Sequence, residues 1–125
     1  MLQKSPMYAY IPAIVLDRAR KFYEEKVGLT PKQEINGGVV YEFAGGTAAF
    51  LYPTPNGGSS RASQAFWSVQ DVEAEVAELK KRGVKFEEYD VPGMKTVNGI
   101  ATGGGAKAAW FKDSEGNTMA VIQTL

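Results

Sequence analysis

The chain is 125 residues long, enough for one domain and too short for two. Its 14 Lys plus Arg balance 14 Asp plus Glu, so it lacks the basic excess that nucleic-acid binding calls for. It has no cysteine and no histidine, which excludes disulfides, thiolate or imidazole metal sites, Cys nucleophiles and any Ser-His-Asp triad.

Hydrophobic residues make up 44% of the chain and charged residues 22%, the composition of a domain with a real core. No apolar run approaches the roughly 18 residues of a membrane helix, so no membrane partner is expected. Met1 to Pro6 lack the apolar stretch of a signal peptide. Together with the lack of cysteine, this gives a cytoplasmic expectation.

In chain order, Tyr8 to Ala13 reads as a strand. Asp17 is placed to cap a helix over Arg18 to Lys26, with Ala19, Phe22, Tyr23 and Val27 at helical spacing and Gly28 ending it. Three strands are expected next: Thr30 to Ile35, Val39 to Ala44 and Thr47 to Tyr52. Asn36-Gly37-Gly38 and Gly45-Gly46 supply their turns. Residues 53–63, rich in Pro, Gly and Ser, read as a linker. The pattern then restarts. Gln64 to Val69 is a strand, and Asp71 caps a helix whose apolar face is Val72, Val76 and Leu79. Gly83 ends that helix, and Val84 to Val91 is a strand. Ala106 to Lys112 and Thr118 to Gln123 form a hairpin. A Gly-rich insertion over 92–105 is either a lid or a solvated hairpin extension.

Asp17 and Asp71, and Gly28 and Gly83, stand at nearly the same spacing. The chain is therefore α+β, built as two βαβββ modules over about 6–53 and 63–125. One such module leaves a sheet face open; two can pair to enclose a cleft.

The motifs that carry a family resemblance are Asp17-Arg18-Ala19-Arg20-Lys21-Phe22-Tyr23, Val27-Gly28-Leu29, Val69-Gln70-Asp71-Val72, Arg82-Gly83-Val84 and Phe111-Lys112-Asp113-Ser114-Glu115-Gly116-Asn117. In order and spacing the chain resembles the vicinal-oxygen-chelate superfamily, that is, the glyoxalase, bleomycin-resistance and dioxygenase proteins. Ser114 and Glu115 depart from the family's usual turn. The resemblance implies half-barrel modules around a cleft and four metal-ligand positions, which fall here on Tyr8, Phe50, Gln64 and Ala120. Phe and Ala carry no donor atom, and a neutral phenol with one amide is a poor site for a divalent ion. No metal and no cofactor is expected. The resemblance also implies a homodimer, with the first strand around Ile11 and Ala13 as a candidate interface edge.

Strand alternation then assigns the cleft. Tyr8 brings Tyr10, and Phe50 brings Tyr52. A two-residue turn at Gly45-Gly46 sets Tyr41 opposite Phe50 and Phe43 opposite Ala48, with Glu42 pointing away. Gln64 brings Phe66, and Ala120 brings Ile122. Trp67 faces the helix, and Trp110 is undecided. Lys95 on the insertion is placed to meet an anion. The candidate lining is thus aromatic and apolar, suited to a flat or greasy small molecule. The same rings can also pack together as core. The functional expectation is a metal-free binder of a small aromatic or apolar molecule. The alternatives are a metal-independent lyase, isomerase or hydrolase, with Tyr8 as its weak catalytic candidate, and an interaction domain without a ligand.

Overall fold

Alternation along the strands decides what the core receives. In the computed structural model, which describes all 125 residues, the strand β1 (Tyr8–Ala13) buries Ile11 and Ala13 on one face. Its other face leaves Tyr8 and Tyr10 exposed. Ile11 and Ala13 are therefore core residues, on a strand that forms one edge of its sheet. Helix α1 (Leu16–Lys21) continues as one π turn over Phe22–Lys26. The strands β2 (Gln33–Ile35), β3 (Gly38–Glu42) and β4 (Ala48–Pro53) complete the first module. The second contains β5 (Ser63–Ser68), α2 (Val72–Lys81), β6 (Asp90–Val91), β7 (Met94–Val97), β8 (Ile100–Gly103), β9 (Ala106–Lys112) and β10 (Thr118–Thr124).

The two sheets are ordered β1-β4-β3-β2 and β5-β10-β9-β8-β7-β6. In each, the first strand pairs parallel with the last, and the last pairs antiparallel with the strand before it. This is the expected α+β duplication. A core of 17 buried residues spans both modules, including Ile11, Tyr23, Leu51, Val76, Phe111 and Val121. Each fully buried aliphatic or aromatic side chain there contributes about 1.5–3 kcal/mol by leaving water.

Asp71 caps α2 by accepting the Ala74 N–H at 3.1 Å. At the other end Gly83, at φ +98°, lets Val84 N–H reach back to the Leu79 carbonyl. The first helix is different. It begins one residue before Asp17, which therefore lies inside the first turn, and no side chain caps it. The Val15 N–H instead donates to Glu115 Oε1 from the other module at 2.8 Å.

Three further expectations are corrected. The strand over Thr30 to Ile35 shortens to Gln33–Ile35. The β3–β4 connection is a 3-10 turn over Ala44–Gly46, one residue longer than a Gly45-Gly46 turn. Tyr41 consequently pairs with Ala49, and Glu42 with Ala48. One residue of slip reverses every face of the strand, so Tyr41 turns into the core and Glu42 shares the outer face with Val40. The strand over Val84 to Val91 reduces to a bridge between Phe86 and Phe111 and the two-residue β6. Of the two readings of residues 92–105, the hairpin extension is the one that forms, hydrogen-bonded into the second sheet through β8 and β9.

The turn after β9 ties the modules together. Asp113 accepts the Tyr23 hydroxyl at 2.6 Å and the N–H groups of Glu115 and Asn117, both at 2.9 Å. Asn117 donates to the Pro12 carbonyl at 2.7 Å and accepts Gly58 N–H at 3.1 Å. Glu115, whose side chain has no solvent exposure, accepts two bonds from Arg18 at 2.7 and 2.9 Å. Gly58 lies so close to this turn that a Cβ would collide with the Glu115 carbonyl. Burial alone would raise the Glu115 carboxyl. Arg18, the Val15 N–H and the Ser114 hydroxyl outweigh burial and hold it down at about 2.

Candidate functional site

The outer face of the first sheet carries a cluster of rings. β1 and β4 run in parallel register with Tyr10 beside Phe50 and Pro12 beside Tyr52. Tyr10 meets Tyr52 edge-on at 5.2 Å and Phe50 at 6.1 Å, while Phe50 and Tyr52 stack with 5° between planes. Tyr8, Tyr10, Val40 and Phe50, with Ile35, Gln33 and Asn36 at the rim, line an open pocket of about 400 Å³. Of the expected lining, Tyr8, Tyr10 and Phe50 meet here, and Tyr52 adjoins them.

Tyr41 and Phe43 do not. Tyr41 is 1% exposed and donates its hydroxyl to Glu24 at 2.8 Å. Burial, then Glu24, push its phenol well up. Phe43 packs edge-on against Trp67 at 5.7 Å. Lys95 is also elsewhere. It shares a groove between α2 and the β7–β8 hairpin with Val76, Lys80 and Ile100.

On the second sheet, Ala120 pairs with both Phe66 and Trp110, so Gln64, Phe66, Ala120, Ile122 and Trp110 share its outer face. Phe66 is exposed, Ala120 buried and Ile122 half-buried. The Gln64 amide donates to the Tyr10 carbonyl at 2.9 Å, joining the edges of the two sheets. A second open pocket, of about 570 Å³, lies on this face against Arg61, Ser63, Tyr89, Met94, Trp110, Lys112 and Thr118. Tyr89 and Trp110 meet edge-on at 5.8 Å. Burial, then Glu87, raise the Tyr89 phenol.

Arg61, Tyr89, Met94 and Lys112 escaped the sequence reading, and Trp110 stayed undecided there. One signal was available: the five residues 113–117 form the β9–β10 turn, which pairs Lys112 with Thr118 and so Trp110 with Ala120. No comparable signal places Arg61, which lies in the linker.

The sequence pattern of the Glyoxalase/Bleomycin resistance protein/Dioxygenase superfamily matches residues 10–121. The chain belongs to that superfamily. Solved structures of the glyoxalase/bleomycin-resistance fold agree with the architecture. A putative glyoxalase family protein from Bacillus anthracis superposes with a TM-score of 0.75 at 16% identity, over 98% of this chain and 96% of that one. UcmS2 gives 0.74 at 16% identity, over 94% and 96%. TnmS3, described as an antibiotic binding protein from Streptomyces sp. CB03234, gives 0.69 at 23% identity, over 100% and 99%. At these identities the likeness is one of fold. No curated protein sequence matches the chain.

Many glyoxalase/bleomycin-resistance superfamily members hold a divalent metal, so the four corresponding positions matter. Phe50 and Ala120 offer no donor atom, and Ala120 is 2% exposed. The Gln64 amide is engaged with the Tyr10 carbonyl. Nowhere in the chain do three His, Cys, Asp or Glu side chains gather as a ligand set. This donor set does not fit a divalent ion. No helix is long and apolar enough to cross a membrane.

Proposed function

We propose that this chain binds a flat, largely apolar small molecule without a metal ion, as a homodimer, and releases it unchanged. The observation that carries the reading is the exposure of the rings on the first sheet. Tyr10 is 65% exposed and Tyr8 51%, beside Phe50 at the pocket. Grouped exposed rings around a concavity are a binding surface by default. The Gln33 and Asn36 amides at the rim can orient a ligand's polar atoms. No carboxylate lines this pocket, so it contains no strong proton acceptor for neutral pH. That favours binding over turnover. The likeness to a structure described as an antibiotic binding protein supports the same reading.

The same surface supports the homodimer reading. Both pockets are open, and Phe66, at 60% exposure, stands on the outer face of β5. A second copy laid over these faces would cover them and deepen both pockets.

The test is titration with N-phenyl-1-naphthylamine, a neutral fluorescent aromatic, with sedimentation equilibrium alongside. We expect saturable binding, about tenfold weaker in Tyr10→Ala and in Phe50→Ala, unaffected by EDTA, on a particle of twice the chain mass. Full binding in both variants refutes the site. Turnover of an aromatic compound that vanishes in Tyr8→Phe would make the chain a metal-independent lyase, isomerase or hydrolase instead.

A further inference from the structure

We infer that the pocket on the second sheet is a site for an organic anion with a flat aromatic body, its charge held by Arg61 and Lys112 and its ring set against Trp110 and Tyr89. The inference deepens the proposed binding function and rests on it.

The two pockets differ in chemistry. The one on the first sheet has no charged lining residue. The one on the second has two cations and no carboxylate. The whole chain is electrically balanced, so this pairing of cations is local and attracts anions locally. Arg61 takes part in none of the chain's ion pairs. Lys112 has only Glu87, at 3.8 Å, beyond hydrogen-bond range. Arg61 is thus free of any protein carboxylate, while Lys112 is shared loosely with Glu87, with which a ligand anion would compete.

The backbone on either side of Arg61 is held by hydrogen bonds. The start of its segment is pinned by the Gly58 N–H on Asn117, and the Ala62 N–H closes back on the Ser60 hydroxyl at 3.1 Å. A guanidinium presents a planar fork that matches carboxylate, sulfonate or phosphate oxygens in pairs. The edge-on Tyr89–Trp110 pair gives an aromatic wall beside the charges. Rings and cations on one concave face suit an aromatic acid and disfavour a cationic ligand.

Two matched probes test this on the full-length protein. 1-Anilinonaphthalene-8-sulfonate is an anion, and N-phenyl-1-naphthylamine is the same ring system without the sulfonate. We expect the protein to bind the anion at least tenfold more tightly at low salt, with the preference shrinking as salt rises. Arg61→Gln and Lys112→Gln should each reduce the anion-to-neutral affinity ratio about fivefold to tenfold, while Lys85→Gln leaves the ratio intact. Energy transfer from tryptophan to the bound anion should fall in Trp110→Phe. Circular dichroism verifies that each variant is folded. Equal affinity for the two probes overturns the inference and leaves the apolar binding function standing. Anion preference that survives the Arg61→Gln/Lys112→Gln double variant places the charge recognition elsewhere and also overturns it. Binding of neither probe removes the underlying function, and the inference with it.

Discussion

Replacing Glu115 by Gln tests how the two modules are joined. The side chain is fully enclosed and accepts hydrogen bonds from Val15 N–H, Arg18 and Ser114. Its carboxyl is held at about 2 against an ordinary 4.5. That difference corresponds to roughly 3 kcal/mol of stability at neutral pH. Half of the Arg18 side chain faces water, which screens the pair and lets the arginine be rehydrated when its partner is neutralised. The expected loss in Glu115→Gln is therefore nearer about 2 kcal/mol. The sign in pH follows from the lowered carboxyl. Its contribution is complete above about 4.5 and is lost as the pH falls toward about 2. Urea unfolding followed by circular dichroism at pH 7, 4 and 2.5 measures wild type against variant. The gap should be full at pH 7 and shrink steadily into acid. Other carboxylates titrate in both proteins and cancel in the difference. A gap of the same size at pH 7 and pH 2.5 refutes the reasoning.

Tyr23→Phe removes the 2.6 Å bond to Asp113 from the buried end of the same turn. A loss of about 1–3 kcal/mol in urea unfolding is expected. Asp71→Ala should cost about 1 kcal/mol through loss of the α2 cap, whereas Asp17→Ala, which caps nothing, should stay within about 0.5 kcal/mol by the same assay. Leu51→Ala, at a site with no solvent exposure, should cost about 3–5 kcal/mol. Tyr10→Ala, on the exposed face, should cost under about 1 kcal/mol in stability while weakening aromatic binding, so comparing its thermal midpoint with its probe affinity separates packing from recognition.

The duplication was legible in the sequence because helix caps, terminating glycines and strand alternation are local signals. Asp71 and Gly83 act as their types predict. Asp17 does not, because the Val15 N–H is satisfied from a hundred residues away by Glu115, and no local pattern announces such a partner. Tyr41 and Phe43 were misplaced by a single residue in the β3–β4 turn; Gly45-Gly46 fits a two-residue turn as readily as the 3-10 turn that forms. The cationic pocket was invisible for another reason. Arg61 comes from the linker, Tyr89 from beside β6, and Lys112 from β9, and only tertiary structure brings them to one face. The buried turn had a readable trace: two carboxylates within an apolar hairpin, Asp113 and Glu115, have to find donors somewhere.

The parallel pairing of first strand with last in each module shapes how the chain reaches its fold. β1 meets β4 across roughly forty residues, and β5 meets β10 across more than about fifty. Neither sheet can grow outward from a tight hairpin alone. Each closes only when distant segments collide in register, and the entropy of that loop closure is spent before its contacts form. Until the turn at residues 113–117 docks, Tyr23 and Arg18 lack their partners. The refolding rate of this small domain is accordingly governed by these long-range contacts, and the Tyr8 and Tyr10 face stays exposed even once they have formed.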